Sequence, residues 1–280
     1  MNRLALLALP LALSFVTGCT DKEDSDDETT DEGSDGSDGS DGADGGTDSD
    51  VDDEPDPDSD DDDDGLSLAD EEELGTDPAL ADSDGDGLDD GDEVDNGSDP
   101  LNKFSWPGAG IWPDMSGDVT EEGDEYAMDA VMPNFYGTDQ YGSEVNLYQF
   151  YGSVVLVDFS AGWCGPCKTV AAGAEELWQE HREDGFVIIH AMIDDYRGSG
   201  TAGESFREDW SEAYGLTFPV LGEGDINSAA LRGLGRARVY ENAIPFMILL
   251  DQEMRIDQAY TGSGTEGRIE SRAEDLLAGE

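Results

Sequence analysis

The chain contains few cysteines and histidines, the residues that form disulfides and most structural zinc sites. Its three cysteines are Cys19, Cys164 and Cys167, and its two histidines are His181 and His190. A zinc site with four cysteines is therefore excluded, and a site with two cysteines and two histidines lacks the usual cluster spacing. What remains is one close pair of thiols, Cys164 and Cys167, separated by two residues.

Basic residues are also scarce. The chain has 13 Lys and Arg against 70 Asp and Glu, and its formal net charge is -57. Residues 20–103 hold 38 of these acidic residues but only Lys22 and Lys103 as bases. A chain with this charge repels phosphate groups, so we expect no nucleic acid among its partners.

Long apolar segments are absent except at the N-terminus. Residues 4–16 are apolar and follow the short basic segment Asn2-Arg3. This length suits a signal peptide better than a membrane span. The segment ends in Val16-Thr17-Gly18-Cys19, which resembles the lipobox of bacterial lipoproteins. The resemblance implies cleavage after residue 18, lipidation of Cys19 and a place in the cell envelope. An ordinary secretory signal with an incidental cysteine is the alternative.

Residues 19–59 are of low complexity and consist mainly of Asp, Gly and Ser. Such a segment buries too little apolar surface to offset its chain entropy, so we expect a disordered linker. From residue 60 the acidic residues fall into an ordered pattern.

Residues 82–93 have the spacing of an EF-hand calcium loop. Oxygen donors occur at positions one, three and five, a glycine at six, a backbone carbonyl at seven and a glutamate at twelve. The predicted ligands are Asp82, Asp84, Asp86, the carbonyl of Leu88, Asp90 and Glu93.

The same pattern occurs 22 residues earlier. Its predicted ligands are Asp60, Asp62, Asp64, the carbonyl of Leu66 and Glu71. Position nine is Leu68, so this loop is expected to bind more weakly or through water. The repeat resembles the thrombospondin type 3 calcium repeats over residues 60–102, which implies structural Ca²⁺. The alternative interpretation is that these residues form a solvated acidic tract without bound metal. Residues 103–125 form a connector.

A dithiol motif follows an apolar run in the C-terminal half. Residues 154–159 read as a buried strand, and Trp163-Cys164-Gly165-Pro166-Cys167 follows them. If a helix begins at Cys164, its unpaired N–H groups favour a thiolate there, and Cys167 lies within reach of a disulfide. This pattern predicts reversible redox chemistry. A structural disulfide would close only a very short loop and constrain the unfolded chain little.

Residues 126–280 have the composition of one globular domain. Strands are predicted at 145–150, 154–159, 186–193, 246–251 and 256–260, and helices at 168–183, 204–214, 226–234 and 267–277. The alternation of strands and helices predicts an α/β domain with helices on both faces of a sheet.

Residues 157–168, VDFSAGWCGPCK, resemble a thioredoxin active site. Residues 132–142 and 243–251 resemble the N-terminal hairpin and the cis-proline strand of membrane-anchored thioredoxin-like oxidoreductases of the TlpA/ResA type. The resemblance implies a thioredoxin fold, with a central mixed β-sheet flanked by helices. An acidic tether and small EF-hand-like calcium loops precede it.

The pattern and the resemblance together imply a role for each residue. Cys164 is the predicted nucleophile and Cys167 the resolving thiol. Asp158 would take the proton of Cys167, unless it faces solvent at the strand end. Pro245 would be cis, with the backbone before it pairing with a substrate strand. Trp163 would shield the site, or simply pack on the surface.

Two positions depart from the thioredoxin pattern. Ser160 replaces an aromatic residue and is expected to open one wall of the site. His190 replaces a lysine near the buried acid, where it could modulate proton transfer or be an ordinary core histidine.

The leading hypothesis is a lipid-anchored reductase of protein disulfides that receives electrons from a membrane donor. Gly165-Pro166 between the cysteines favours reduction over oxidation. A calcium-dependent surface-binding protein with an inert thioredoxin scaffold is one alternative. A peroxiredoxin-type peroxidase is another, but Ala161 stands where it requires threonine.

Overall fold

The computed structural model describes residues 55–198, 200, 202–224, 230–239 and 243–279. They belong to one unit of the chain, residues 53–280. The expected signal peptide, Cys19 and residues 20–54 of the expected linker lie outside the described residues. No helix in the described part is long and apolar enough to cross a membrane.

A five-stranded mixed sheet forms the centre of the domain. Its strands are β3 (Val154–Ala161), β4 (Phe186–Asp194), β5 (Val220–Leu221), β6 (Phe246–Leu250) and β7 (Ile256–Thr261). Their order is β5-β4-β3-β6-β7, with β3, β4 and β5 parallel and β6 and β7 antiparallel. Every residue of β3 is buried, as its continuous apolar run predicted. The expected thioredoxin-like α/β fold is confirmed.

Alternate side chains of the sheet pack against two different layers. One face meets α3 (Gly165–His181), α4 (Glu204–Tyr214) and α6 (Glu266–Leu277). The other face meets α5 (Leu231–Arg236) and the segment that precedes β3, including Trp106 and Trp112. Helices therefore cover the first face, whereas the second layer is built largely by the chain before β3, from the connector through Met132, Phe135 and Leu147.

The predicted strand at 145–150 is wrong beyond Asn146. A hairpin forms from β1 (Tyr136–Thr138) and β2 (Glu144–Asn146), and a 3₁₀ helix, Leu147–Phe150, follows it. The Asn146 side chain accepts hydrogen bonds from the N–H groups of Tyr148 and Gln149. With this cap the segment 147–150 forms a helical turn. All four residues of the turn are buried, and their apolar composition had suggested a strand.

The helix boundaries differ from the predicted ones mainly at α3 and α5. α3 begins at Gly165 rather than 168, because Cys164 is its N-cap and Pro166 fits the first turn. It ends at His181, and a 3₁₀ turn leads to Gly185 with a φ of 95°. For the helix predicted at 226–234, residues 225–229 lie outside the described part, and α5 begins at Leu231.

Each acidic repeat ends in a short helix. α1 (Leu68–Leu74) ends at Gly75 and α2 (Asp90–Asn96) ends at Gly97. Both glycines have the left-handed backbone conformation that is typical of a helix end. Residues 55–59, which the sequence predicted as linker, belong to the first repeat instead. The carbonyls of Pro57 and Ser59 accept hydrogen bonds from the start of α1, so their backbone is held in place.

The connector joins the second acidic loop to the domain. Asp114 N donates to Asp86 O at 2.7 Å, and the next residue, Met115, donates from N to Gln149 O at 3.0 Å. Trp106 is 2 % exposed and packs on Phe150 with ring centroids 5.6 Å apart. The connector therefore links the acidic repeats to the α/β domain through backbone hydrogen bonds and a buried aromatic ring.

Candidate active site and acidic loops

Cys164 and Cys167 form a disulfide at the start of α3, with their Cα atoms 5.3 Å apart. Cys164 is 4 % exposed and Cys167 is fully buried, so the predicted nucleophile is the more accessible of the two. Cys164 Sγ accepts a hydrogen bond from Cys167 N at 3.2 Å. A helix N-terminus provides such donors, and these stabilise a thiolate once the disulfide is reduced.

A cis peptide bond between Ile244 and Pro245 lies directly beside the dithiol. The carbonyl oxygen of Ile244 is 3.7 Å from Cys164 Sγ. The partly buried Ile244 side chain packs on the cluster formed by Ala161, Cys164 and Cys167. The predicted cis-proline therefore stands next to the reactive sulfur.

Asp158 is buried in the centre of the sheet at 2 % exposure, which excludes the solvent-facing alternative. Its cross-strand neighbours are His190 on β4 and Met247 on β6. The Ser160 hydroxyl lies 3.0 Å from each carboxylate oxygen, and His190 Nε2 is 3.0 Å from Oδ2. Within the described residues Asp158 makes no hydrogen bond to either cysteine.

The expectation for Ser160 is wrong. Its side chain is fully buried and donates to Asp158, so it opens no wall of the site. Residues i and i+2 of a strand share one face of the sheet. The spacing of Asp158 and Ser160 was therefore the signal in the sequence that indicated their contact. His190 is also fully buried, and its ring stacks on Phe218 with centroids 6.2 Å apart.

A cavity of about 250 Å³ reaches Asp158 from between α3 and α6. Its inner wall is apolar and includes Leu156, Ile188 and Met247. The cysteines are not among its lining residues. Asp158 therefore borders a space on the helix side of the sheet that is separate from the dithiol surface.

Trp163 is 53 % exposed, and its indole N–H donates to Asp194 Oδ2 at 2.9 Å. Asp194 Oδ1 also accepts from Gly200 N at 2.6 Å, so one carboxylate holds both the tryptophan and the loop after β4. Asp194 was not among the site residues predicted from the sequence. Its position at the carboxyl end of a buried strand was the available signal.

Asp158→Asn should slow release of the client while leaving the first attack intact. Amide and carboxylate have similar volumes, but the amide cannot accept the Cys167 proton, and general-base groups contribute about 10²–10⁴-fold. Stopped-flow kinetics of mixed-disulfide formation and decay separates the two steps. Glu176→Gln, which changes another acid lining the same cavity, is the control and should behave as the parent. Equal decay rates in Asp158→Asn and the parent would contradict the proton-accepting role.

The two acidic loops have the same backbone geometry. The first aspartate accepts from the glycine five residues later, at 3.1 Å for Asp60 and Gly65 and 2.9 Å for Asp82 and Gly87. The third aspartate of each loop accepts from the leucine two residues later, at 2.7 and 2.9 Å. Carboxylate oxygens of the three aspartates in each loop lie within 4.8 Å of one another. The 22-residue sequence repeat is thus also a structural repeat.

Several carboxylate oxygens in these loops are buried and have no hydrogen-bond partner among the described residues. They belong to Asp62, Glu71, Asp84, Asp86, Asp90 and Glu93. Burial, together with the charges of neighbouring aspartates, raises the pKa of Glu93 to about 8, of Asp84 to about 7 and of Asp86 to about 6. Buried anions without partners are costly, so these oxygens fit a hard cation such as Ca²⁺.

Asp90 lies between the loops rather than within the second alone. Its Oδ1 accepts from Ser83 N at 2.9 Å. Burial raises its pKa, and the charges of Asp64 in the first loop and Asp82 in the second raise it further. The next residue, Gly91, donates from N to Asp64 Oδ2 at 3.2 Å. The start of α2 thus completes the surroundings of the first loop, where Leu68 offers no side-chain oxygen.

Gly91→Ala should disrupt the contact between the repeats. A Cβ atom at this position would overlap the backbone oxygen of Asp64, and such overpacking costs about 1–3 kcal/mol. Gly267→Ala is the matched control, because a Cβ there meets no atom within 4 Å. We expect a lower melting temperature for the first variant only, by differential scanning calorimetry in calcium. Equal melting of both variants would show that the repeats do not require this close approach.

Leu66 and Leu88 follow the loop glycines, and their side chains are buried and partly buried. Ligation by their backbone carbonyls stays a prediction, as does the weaker binding of the first loop.

Two family models match this chain. The AhpC/TSA family model matches residues 128–259, which include the dithiol, the sheet and the cis-proline. The bacterial TSP3 repeat model matches residues 82–103, which include the second acidic loop and α2.

Curated relatives match the same domain. The thiol-disulfide oxidoreductase ResA of Geobacillus kaustophilus (strain HTA426) is 25 % identical over 150 residues, which are 54 % of this chain and 78 % of the relative. ResA of Bacillus anthracis is 27 % identical over 138 residues, which are 49 % of this chain and 72 % of the relative. With the disulfide at the start of α3, these matches support one enzyme class. The domain is a thioredoxin-like oxidoreductase.

Among solved structures, a thiol:disulfide interchange protein of the thioredoxin family from Chlorobium tepidum TLS matches with a TM-score of 0.46. It is 16 % identical, and the match covers 55 % of this chain and 99 % of that one.

Proposed function

We propose that this protein is a lipid-anchored, extracytoplasmic enzyme that reduces disulfides in client proteins. The observation that carries the proposal is the Cys164–Cys167 disulfide at the start of α3, with the carbonyl of Ile244 3.7 Å from Cys164 Sγ. One reactive sulfur and one peptide-pairing backbone group thus lie side by side.

Reduction proceeds in two thiol–disulfide exchanges. The Cys164 thiolate attacks one sulfur of the client disulfide, forms a mixed disulfide and displaces the first client thiolate. The Cys167 thiol then loses its proton to Asp158, and its thiolate attacks Cys164 Sγ. The second client thiolate leaves, and the Cys164–Cys167 disulfide remains. Two electrons and two protons from a membrane donor restore the dithiol.

The surface around Cys164 suits an extended client segment. The backbone at Ile244 offers a partner for strand-like pairing beside the sulfur. Trp163, the residue before Cys164, is exposed and offers an aromatic contact surface. A client with an accessible disulfide in an extended loop fits both features.

The reduction potential of the Cys164–Cys167 pair tests the direction of exchange. The full chain is equilibrated in glutathione buffers, and the free thiols are alkylated and counted. A potential near the about -270 mV of thioredoxin supports a reductase, whereas one near the about -120 mV of DsbA makes the protein a disulfide-forming enzyme.

The lipid anchor rests on the Val16-Thr17-Gly18-Cys19 segment. Several acyl chains on one residue would give stable anchoring, which a single chain does not. Metabolic palmitate labelling of the parent and of Cys19→Ala tests the anchor. Equal labelling of both would exclude it.

Structural Ca²⁺ in the acidic loops is a further part of the proposal. It is supported by the unpartnered buried carboxylate oxygens of both loops, since Ca²⁺ takes six to eight oxygen ligands. The side chains that would hold it are Asp60, Asp62, Asp64 and Glu71 in the first loop, Asp82, Asp84, Asp86 and Glu93 in the second, and Asp90 between them. Isothermal titration calorimetry of the full chain with Ca²⁺ tests this, and absence of heat at millimolar calcium would remove it.

The acidic loops also favour a second candidate function, calcium-dependent binding to a cell-surface partner. In that case the thioredoxin-like domain would be only a scaffold. Cys164→Ser separates the two, because it removes disulfide reduction but leaves surface binding intact. A peroxidase is disfavoured, since Ala161 is a fully buried alanine where a threonine is required.

A further inference from the structure

Three side chains of metal-binding type meet at the end of α3 that is remote from the dithiol. Glu180 and His181 are the last residues of α3, and Glu270 lies in α6. One oxygen of each glutamate and one imidazole nitrogen lie within 4.8 Å of one another. The cluster is roughly 24 Å along the helix from Cys164, at 1.5 Å per residue.

His181 is the donor that distinguishes this cluster from an ordinary acidic patch. Its Nε2 atom is buried and has no hydrogen-bond partner among the described residues. The ring is held edge-on against Phe186, with centroids 6.3 Å apart and an interplanar angle of 88°. A buried polar atom without a partner costs free energy, and a neutral imidazole nitrogen is a common metal ligand.

The charges around the cluster favour a cation. Glu176 and Glu266 join Glu180 and Glu270 in the lining of the cavity between α3 and α6. None of the four belongs to an ion pair within the described part of the chain. Like charges on neighbouring turns repel one another, and the carboxyl end of a helix such as α3 also favours positive charge.

We propose that Glu180, His181 and Glu270 bind a divalent transition metal ion of the zinc class and so join α3 to α6. One imidazole and two carboxylates suit Zn²⁺ or Co²⁺ better than Ca²⁺, which takes oxygen ligands only. Three protein ligands leave at least one position for water. This site is independent of the dithiol and of the acidic loops.

Titration of the full chain with Co²⁺ and Zn²⁺ tests the site. The protein is kept oxidised so that Cys164 and Cys167 cannot bind metal, and saturating Ca²⁺ occupies the acidic loops. We expect one equivalent of Co²⁺ to produce a visible absorption band, Zn²⁺ to displace it, and Zn²⁺ to raise the melting temperature.

His181→Gln and Glu270→Gln should each weaken Zn²⁺ binding by at least about tenfold, or about 1.4 kcal/mol. Glu274→Gln, one turn further along α6 and outside the cluster, is the control and should bind as the parent. If the parent binds no stoichiometric metal, or if both cluster variants bind as tightly as the parent, the proposal is overturned. Because Glu270 is only partly buried, its variant keeps the test valid if His181→Gln folds poorly.

Discussion

We expect Cys164→Ser to abolish reduction of client disulfides, while Cys167→Ser retains the first attack and accumulates a mixed disulfide. The two variants should differ because the two sulfur atoms differ in exposure. Cys164 is the more accessible sulfur and borders the Ile244 carbonyl, whereas Cys167 is fully buried on the first turn of α3. Only a thiolate attacks a client disulfide, and only a second thiol in reach of Cys164 can release the client.

The measurement is non-reducing electrophoresis and mass spectrometry after mixing each variant with a disulfide-bonded test protein. A covalent adduct should appear with Cys167→Ser and be absent with Cys164→Ser. The double variant is the control for non-specific coupling, since the only other cysteine is Cys19. An adduct formed through Cys167 in the Cys164→Ser variant would reverse the assigned order of attack.

The parts of the fold that the sequence predicted well depend on local pattern. The apolar run of β3, the dithiol at the start of α3 and α4 at residues 204–214 all follow from residues close together in the chain. The segment 147–150 was misread because apolar composition does not distinguish a buried strand from a buried helical turn. The cap by Asn146 decided between them.

The parts that sequence reasoning missed depend on contacts between distant residues. The nearness of His190 to Asp158 was expected from the thioredoxin resemblance, but the register of β3 and β4 that brings the two together is not visible in either segment alone. Gly91 and Asp64 meet only because α2 packs on the first loop. Spacing within one repeat could identify the aspartates of each loop, but not the residue that lies between the two loops.

Removing calcium should destabilise the repeats, and more strongly at pH 8 than at pH 5. In the metal-free protein the pKa values of Asp86, Asp84 and Glu93 are raised to about 6, 7 and 8 by burial and neighbouring charges. The folded state therefore holds protons that the unfolded state has already released. A raised carboxyl pKa favours the folded state below the unfolded pKa, near 4, and this stability is lost as pH rises towards 8.

Calcium reverses this dependence, because it binds the ionised carboxylates that otherwise repel one another. At a free Ca²⁺ concentration one hundred times the dissociation constant, the stabilisation is about 2.7 kcal/mol. Thermal melting, followed by tryptophan fluorescence, should show the largest difference between calcium and chelator at pH 8. Glu93→Gln removes the carboxyl with the highest of these three pKa values. Without calcium the melting of this variant should depend less on pH, and its response to calcium should be weaker. If the parent melts alike with calcium and with chelator at pH 8, the buried carboxylates do not form a calcium site, and another partner must offset their charge.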